Sequence, residues 1–280
     1  KDSLVTDSTM IPLFFPRVRL EHQLRFDKEQ YAFIDKIPSI DYYKTMYDRV
    51  IGGRDTIDLR DKWHRFTNEF SVYQFPDAKN LKQYIKAGVA LEIINGNTTT
   101  ESRSFFNSRG QFVYRNITKN KKWDLSLDGI LYVAGFNAGD YLASARLQRL
   151  FGKKNNSITL SGSNVNRTPS FVFDSRSSFY LSSRSLDLKK ENNTSLSATL
   201  DLPTWGATLT GSYYLLTNYT YLTNFYEPQQ ESALFSMLQL AALKTFSLGK
   251  KWKWHAEFYW QQRIGAAQVN AIPFYLRNRI

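Results

Sequence analysis

The residues best suited to chemistry are few and far apart. The chain has 280 residues, three histidines and no cysteine, which excludes a thiolate nucleophile, a thiolate metal site and a disulfide framework. His22, His64 and His255 lack a second histidine or a carboxylate in a recognised ligand spacing, which argues against a zinc centre. Serine is plentiful, but there is no G-x-S-x-G elbow and no Ser/His pair within one strand-like run. The chain is therefore read as a non-enzyme, with no catalytic residue, no metal ligand and no cofactor. What remains are charges inside otherwise alternating runs: Arg17, Arg19, Arg25, Arg115, Arg146, Asp124, Asp128 and Glu257. Charges at mid-strand need partners or water, because a dry core does not accept them.

The elements that must position these charges are strands. From Leu81 the odd positions read Leu81, Ile85, Val89, Leu91 and Ile93, while Lys82, Lys86 and Glu92 fall between them. Trp123, Leu125, Leu127, Leu131 and Val133 alternate with Asp124, Ser126 and Asp128 in the same way. Trp252, Trp254, Ala256, Phe258 and Trp260 alternate with Lys253, His255 and Glu257; Val18, Leu20, Leu24 and Phe26 alternate with Arg17, Arg19 and Arg25. A period of two is the mark of a strand with one apolar face. Further strands are expected near 65–75, 104–116, 140–151, 157–164, 178–188, 195–214 and 233–248. Pro203 interrupts one of these runs, so that run is either two strands or one with a bulge. Residues 1–16 read as an extended N-terminal segment and 37–62 as a long loop.

Lys/Asn/Gly/Asp clusters at 76–80, 118–122, 152–156, 189–193 and 249–251 suit tight turns. Longer polar connections at 95–103, 165–177 and 218–232 lie between them. The expectation is an all-β, antiparallel, up-and-down meander of about 10–14 strands. It forms a transmembrane β-barrel or a large part of one, with residues 1–280 as a single region. Neither end reads as a natural terminus, so both native termini are expected to be missing.

A soluble all-β binding domain would alternate too. Three features favour the membrane. The strand-like runs exceed the roughly 5–6 residues usual in soluble sheets. Charges and amides occupy mid-strand positions. Aromatic residues, 15% of the chain, gather near strand ends at Trp123, Phe136, Tyr141, Phe151, Tyr213, Tyr219, Trp252, Trp254 and Trp260, as interface girdles do. No apolar run approaches the roughly 20 residues of a spanning helix. The net charge of +12 invites nucleic acid as a partner, but many lysines sit in turns, such as Lys119, Lys121 and Lys122, and no base-stacking face is evident. Nucleic acid is therefore not expected.

The segments NYTYLTNFYEPQQE (218–231), GKKWKWHAEFYWQQ (249–262) and IPFYLRN (272–278) resemble the putative porins of Bacteroidetes-type outer membranes. RVRLEHQLRF (17–26) and FSVYQFPDAKNLKQYIKAGVALE (70–92) echo the same family. The resemblance implies a β-barrel in the outer membrane of a Gram-negative bacterium, a member of a family whose chains are longer than this one. It further implies passive diffusion of small hydrophilic solutes through a polar lumen. Outer-membrane lipids, those solutes and other envelope proteins are the expected partners. Arg17, Arg19, Arg25, Arg115, Arg146, Asp124, Asp128 and Glu257 would face the lumen, and the arginines would lean it towards anions. A rival reading is an accessory or plug-type barrel in a secretion or uptake complex, with no transport of its own.

Overall fold

A computed structural model describes residues 17–36, 40–47, 56–77, 79–99, 101–152, 155–180, 186–223, 227–249, 252–265 and 269–279. The alternating runs become fourteen strands: β1 (Val18–Lys36), β2 (Thr56–Gln74), β3 (Gln83–Asn97), β4 (Ser102–Ile117), β5 (Trp123–Gly135), β6 (Tyr141–Phe151), β7 (Asn156–Arg167), β8 (Glu191–Leu202), β9 (Ala207–Thr217), β10 (Tyr219–Thr223), β11 (Glu227–Glu231), β12 (Phe235–Leu248), β13 (Trp252–Ile264) and β14 (Phe274–Arg279). Twelve form one antiparallel sheet in the order β1 to β9 and then β12 to β14, while β10 and β11 pair as a separate hairpin. This is the expected meander. Among the described residues β1 and β14 are the free edges of an open sheet.

The registers carry one parity through the whole sheet. Ser71 on β2 pairs with Gly88 on β3, which pairs with Gln111 on β4, which pairs with Ile130 on β5. One face therefore collects the polar set of every strand, and the other collects Phe66, Phe70, Val89, Leu91, Leu131 and Val133. The burial of the two faces is opposite to that of a water-soluble sheet. Among the described residues thirteen polar or charged side chains are buried but only four apolar ones, Ala90, Ile94, Pro228 and Phe235. Val89, Leu91 and Val133 are 65%, 61% and 66% exposed. A soluble all-β domain cannot leave that belt in water, so an apolar solvent has to cover it.

Connections sort by end. The connections joining β2 to β3, β4 to β5, β6 to β7, β8 to β9 and β12 to β13 leave from one end of the sheet, while the longest, joining β1 to β2, β7 to β8, β9 to β12 and β13 to β14, leave from the other.

Several local expectations need correction. Residues 178–188 do not form a strand where they are described, because 171–180 are a 3-10 turn and further turns. For the 195–214 run, where two readings stood open, the structure takes the first: two strands, β8 and β9. Proline opens a 3-10 turn at Pro203–Trp205, and Gly206 closes it in the left-handed region at φ 57°. Of the 37–62 loop, Ile40–Tyr47 is a helix, α1, and β2 already begins at Thr56. The 189–193 cluster is not a tight turn, since β8 starts at Glu191. Residues 1–16 lie outside the described residues.

The ladder between β4 and β5 shifts register at Ser108/Arg109. Gly135 absorbs the shift at φ 102°, where a Cβ would stand 1.9 Å from the Phe106 carbonyl oxygen. Gly135→Ala is expected to destabilise the protein by more than about 1 kcal/mol, read as a lower denaturant midpoint in detergent micelles.

Candidate functional site

The polar wall begins with charges that cannot be buried alone. Arg109 on β4 donates from Nη2 to Glu69 on β2 at 3.1 Å and from Nε to Glu92 on β3 at 3.0 Å. Its third donor, Nη1, reaches Gln111 Oε1 at 2.8 Å. Lys86 Nζ bridges Glu69 at 3.1 Å and Glu21 at 3.3 Å, and Tyr73 donates its hydroxyl to Glu21 at 3.2 Å. Asn107 donates to Glu92 at 3.3 Å and to Asn137 Oδ1 at 2.9 Å. These groups meet because β2, β3 and β4 are consecutive and in phase. Residue-by-residue reading missed Glu69, Lys86, Glu92 and Arg109. The available signal was the polar parity they share once the strands are put in register.

All eight charges singled out in the sequence stand on the parity of this wall, but as scattered pairs. Arg19 reaches Glu21 at 3.4 Å, Arg25 reaches Asp27 at 2.8 Å, Arg115 reaches Asp124 at 2.8 Å, and Glu257 has Arg277 at 4.0 Å. Asp128 accepts from Ser126 at 2.7 Å. Arg146 is exposed and lies opposite Ser126 and Ser161. Arg17 precedes β1 and accepts the Phe75 amide at 2.8 Å through its carbonyl.

Seven of the nine aromatics stand on the apolar face. Trp123, Phe151, Trp252 and Trp254 lie near the short-turn end; Trp254 stacks on Phe246 at 4.9 Å, and the Arg149 guanidinium sits 5.0 Å from the Trp123 ring centroid. Tyr141, Tyr213 and Trp260 lie towards the long-loop end. Phe136 and Tyr219 do not join them. Phe136 packs on Phe105 at 4.5 Å on the polar side, and Tyr219 meets Phe235 edge-on at 5.9 Å. Both sit beside connections, where alternation no longer decides which way a side chain points.

One long connection lies across the wall. After β7 the chain runs to β2, past four intervening strands of the sheet. It leaves anchored at Asp140, whose Oδ1 accepts from the Thr168 amide and hydroxyl, both at 2.9 Å. Phe171 then meets Trp63 edge-on at 4.5 Å. Gly96 makes room for that indole, since a Cβ there would fall 2.2 Å from it. The Arg176 guanidinium lies 5.5 Å from Phe105 and 5.7 Å from Phe136 and Phe171, and its Nε donates to Asp174 at 2.6 Å. The far end is tied to Asp61, 1% exposed, which accepts from Ser177 Oγ at 2.7 Å and the Ser178 amide at 3.1 Å. Ser178 Oγ also receives the Thr99 amide at 2.7 Å. A cavity of about 220 Å³ remains between loop and wall.

Burial works against the charge of Asp174, but its bonds from the Arg176 side chain and amide outweigh this and hold the carboxyl below its ordinary range. A carboxyl depressed in the folded state contributes stability above its unfolded pKa and loses it as pH falls through the folded one. No group of potential metal ligands clusters among the described residues.

A meander with a polar wall, an apolar outer belt, end-sorted connections and a loop across the wall defines a barrel-type outer-membrane protein. Residues 10–280 match the family model described as "Putative porin", and the chain belongs to that family. Its fold is similar to that of the siderophore receptor PirA from Pseudomonas aeruginosa, with 12% identity, TM-score 0.55 and coverage of 86% of this chain and 48% of the receptor. The chain thus spans about half the length of that receptor. A structure of the FpvAI–pyocin S2 complex aligns over 88% of this chain and 37% of the other, at 12% identity and TM-score 0.43. No curated protein matches the chain. Membership of that family places the protein in the outer membrane of a Gram-negative bacterium.

Arg109→Leu leaves Glu69 and Glu92 buried without their shared partner and is expected to cost about 3–5 kcal/mol, measured by denaturation in detergent. Asp61→Ala is expected to free the loop, seen as new protease cleavage within 168–180 at neutral pH. In the wild type, the contribution of the Asp174 pair should persist on acidification until below about pH 4.

Proposed function

We propose that the polar wall lines a path for passive diffusion of small hydrophilic solutes across the outer membrane, narrowed by the loop 168–180. The observation that carries this reading is the loop tied by Asp61 and Asp140 at its two ends, over a wall whose buried side chains are charged. Hydrated solutes can follow such a wall, whereas an apolar one would empty it of water. Family membership supports the channel reading, and short turns at one end suit the periplasmic side of such barrels.

Pairing sets the selectivity. Arg109, Lys86, Arg115, Arg19 and Arg25 all have carboxylate partners, so their fields largely cancel beyond about 8–10 Å in physiological salt. Arg146 faces serines instead. The lean towards anions is therefore weak and rests on Arg146 more than on the paired arginines. In planar bilayers under a salt gradient, the full-length protein should give a small reversal potential on the anion side. Arg146→Glu should move it to the cation side, and Asp61→Ala should raise the conductance. Cation selectivity of the wild type would overturn the anion lean. Absence of conductance would overturn the channel and favour an accessory barrel without transport.

A further inference from the structure

Two cavities on the polar wall meet at Arg65. The first, about 220 Å³, lies under the loop and touches Asp27, Glu29, Asp61, Trp63, Arg65 and Phe171. The second, about 360 Å³, continues along the wall and shares Arg65, Asn137 and Thr168 with it. A solute moving between them passes the Arg65 guanidinium.

Arg65 Nε is buried and, among the described residues, has no hydrogen-bond partner. The carboxylate directly across the ladder, Asp27, is taken by Arg25 Nε at 2.8 Å. A shielded guanidinium donor left without an acceptor is costly, so the site favours whatever brings one. Glu29 stands opposite Trp63 and hence diagonal to Arg65, a relation that puts side chains about 7–8 Å apart. Trp63 neighbours both charges, two residues from Arg65 on β2 and across the ladder from Glu29, with Phe171 against its indole at 4.5 Å. The cavity therefore offers a cation with a vacant donor, a carboxylate one step away and aromatic surface beside them.

We propose that this cavity is a binding subsite for a small zwitterion of the amino-acid type. The solute's carboxylate bonds to Arg65, its ammonium turns to Glu29, and its hydrocarbon part lies against Trp63 and Phe171. The other classes fit less well. A simple anion meets Asp27, Glu29 and Asp61; a simple cation meets Arg65; a neutral sugar leaves both charges without a partner ion. The inference takes from the proposed channel only the route by which the solute arrives, since binding is read at equilibrium.

The test is calorimetric titration of the full-length protein in detergent with phenylalanine, 3-phenylpropionate, phenethylamine and glucose. Phenylalanine should bind at least about tenfold more tightly than either singly charged analogue or the sugar. Arg65→Gln and Glu29→Gln should each weaken it about tenfold, while Arg65→Lys should retain part of the affinity. Glu29 is exposed on the edge strand, so its variant tests the idea even if Arg65→Gln fails to fold. Equal or tighter binding of 3-phenylpropionate or glucose, no binding of phenylalanine, or unchanged binding in Glu29→Gln would overturn the proposal. Conductance on the same preparation separates the two readings. A conducting protein that ignores phenylalanine sinks the subsite alone, and selective binding without conductance supports the subsite and sinks the channel.

Discussion

Buried charge is the constraint on which the rest of this structure depends. Arg109 is held between two carboxylates on two neighbouring strands, and its removal would leave Glu92 shielded without its cation and Glu69 with Lys86 alone. The bonds are possible only if β2, β3 and β4 are in phase, because a slip of one residue would turn every side chain to the other face. The network thus reports register as much as stability. It also explains why Gly88 lies where it does. A Cβ at that point would fall 2.4 Å from Ser71 Oγ and 2.9 Å from Gln111 Nε2, inside the space the network occupies.

With the polar parity turned to the shielded side, the apolar parity has to face out. That choice joins the fold to its setting. Ladder hydrogen bonds satisfy the backbone, so strands can enter a medium that offers no partners of its own. Val89, Leu91, Leu131 and Val133 then meet hydrocarbon, and the aromatics of β5, β6 and β13 stand nearer the ends of the belt. The loop after β7 belongs to the same logic. It covers the polar wall by offering hydroxyls and amides to Asp140 and Asp61, while Phe171 packs against Trp63 and the Arg176 guanidinium lies over Phe105 and Phe136.

Much of this was legible in the sequence, and the boundary is physical. Alternation is local, so the strands from Leu81, Trp123 and Trp252 and the parity of Arg19, Arg115, Asp124 and Glu257 could be read directly. Pairing is not local. That Arg115 meets Asp124 while Arg146 faces serines depends on register, which turns and bulges set. Phe136 and Tyr219 looked like girdle residues because aromatic type near a strand end was the only signal, yet side-chain direction there follows the loop. The described residues of the 178–188 run do not form a strand. Ser178 and its neighbour Ser177 hold the loop instead, binding Asp61 more than a hundred residues away in sequence.

The central claim is that the polar parity faces protein and water while the apolar parity faces lipid. It is tested most directly by nitroxide labels placed singly at positions 87–94 of β3 in the full-length protein, reconstituted into lipid vesicles. Accessibility to oxygen and to a water-soluble relaxation agent should alternate with a period of two. Val89, Leu91 and Ile93 should collide with oxygen in the bilayer, and Ala90, Glu92 and Ile94 should be shielded from it. Absence of alternation, or the same labels at Val89, Leu91 and Ile93 relaxed by the aqueous agent, would contradict the account.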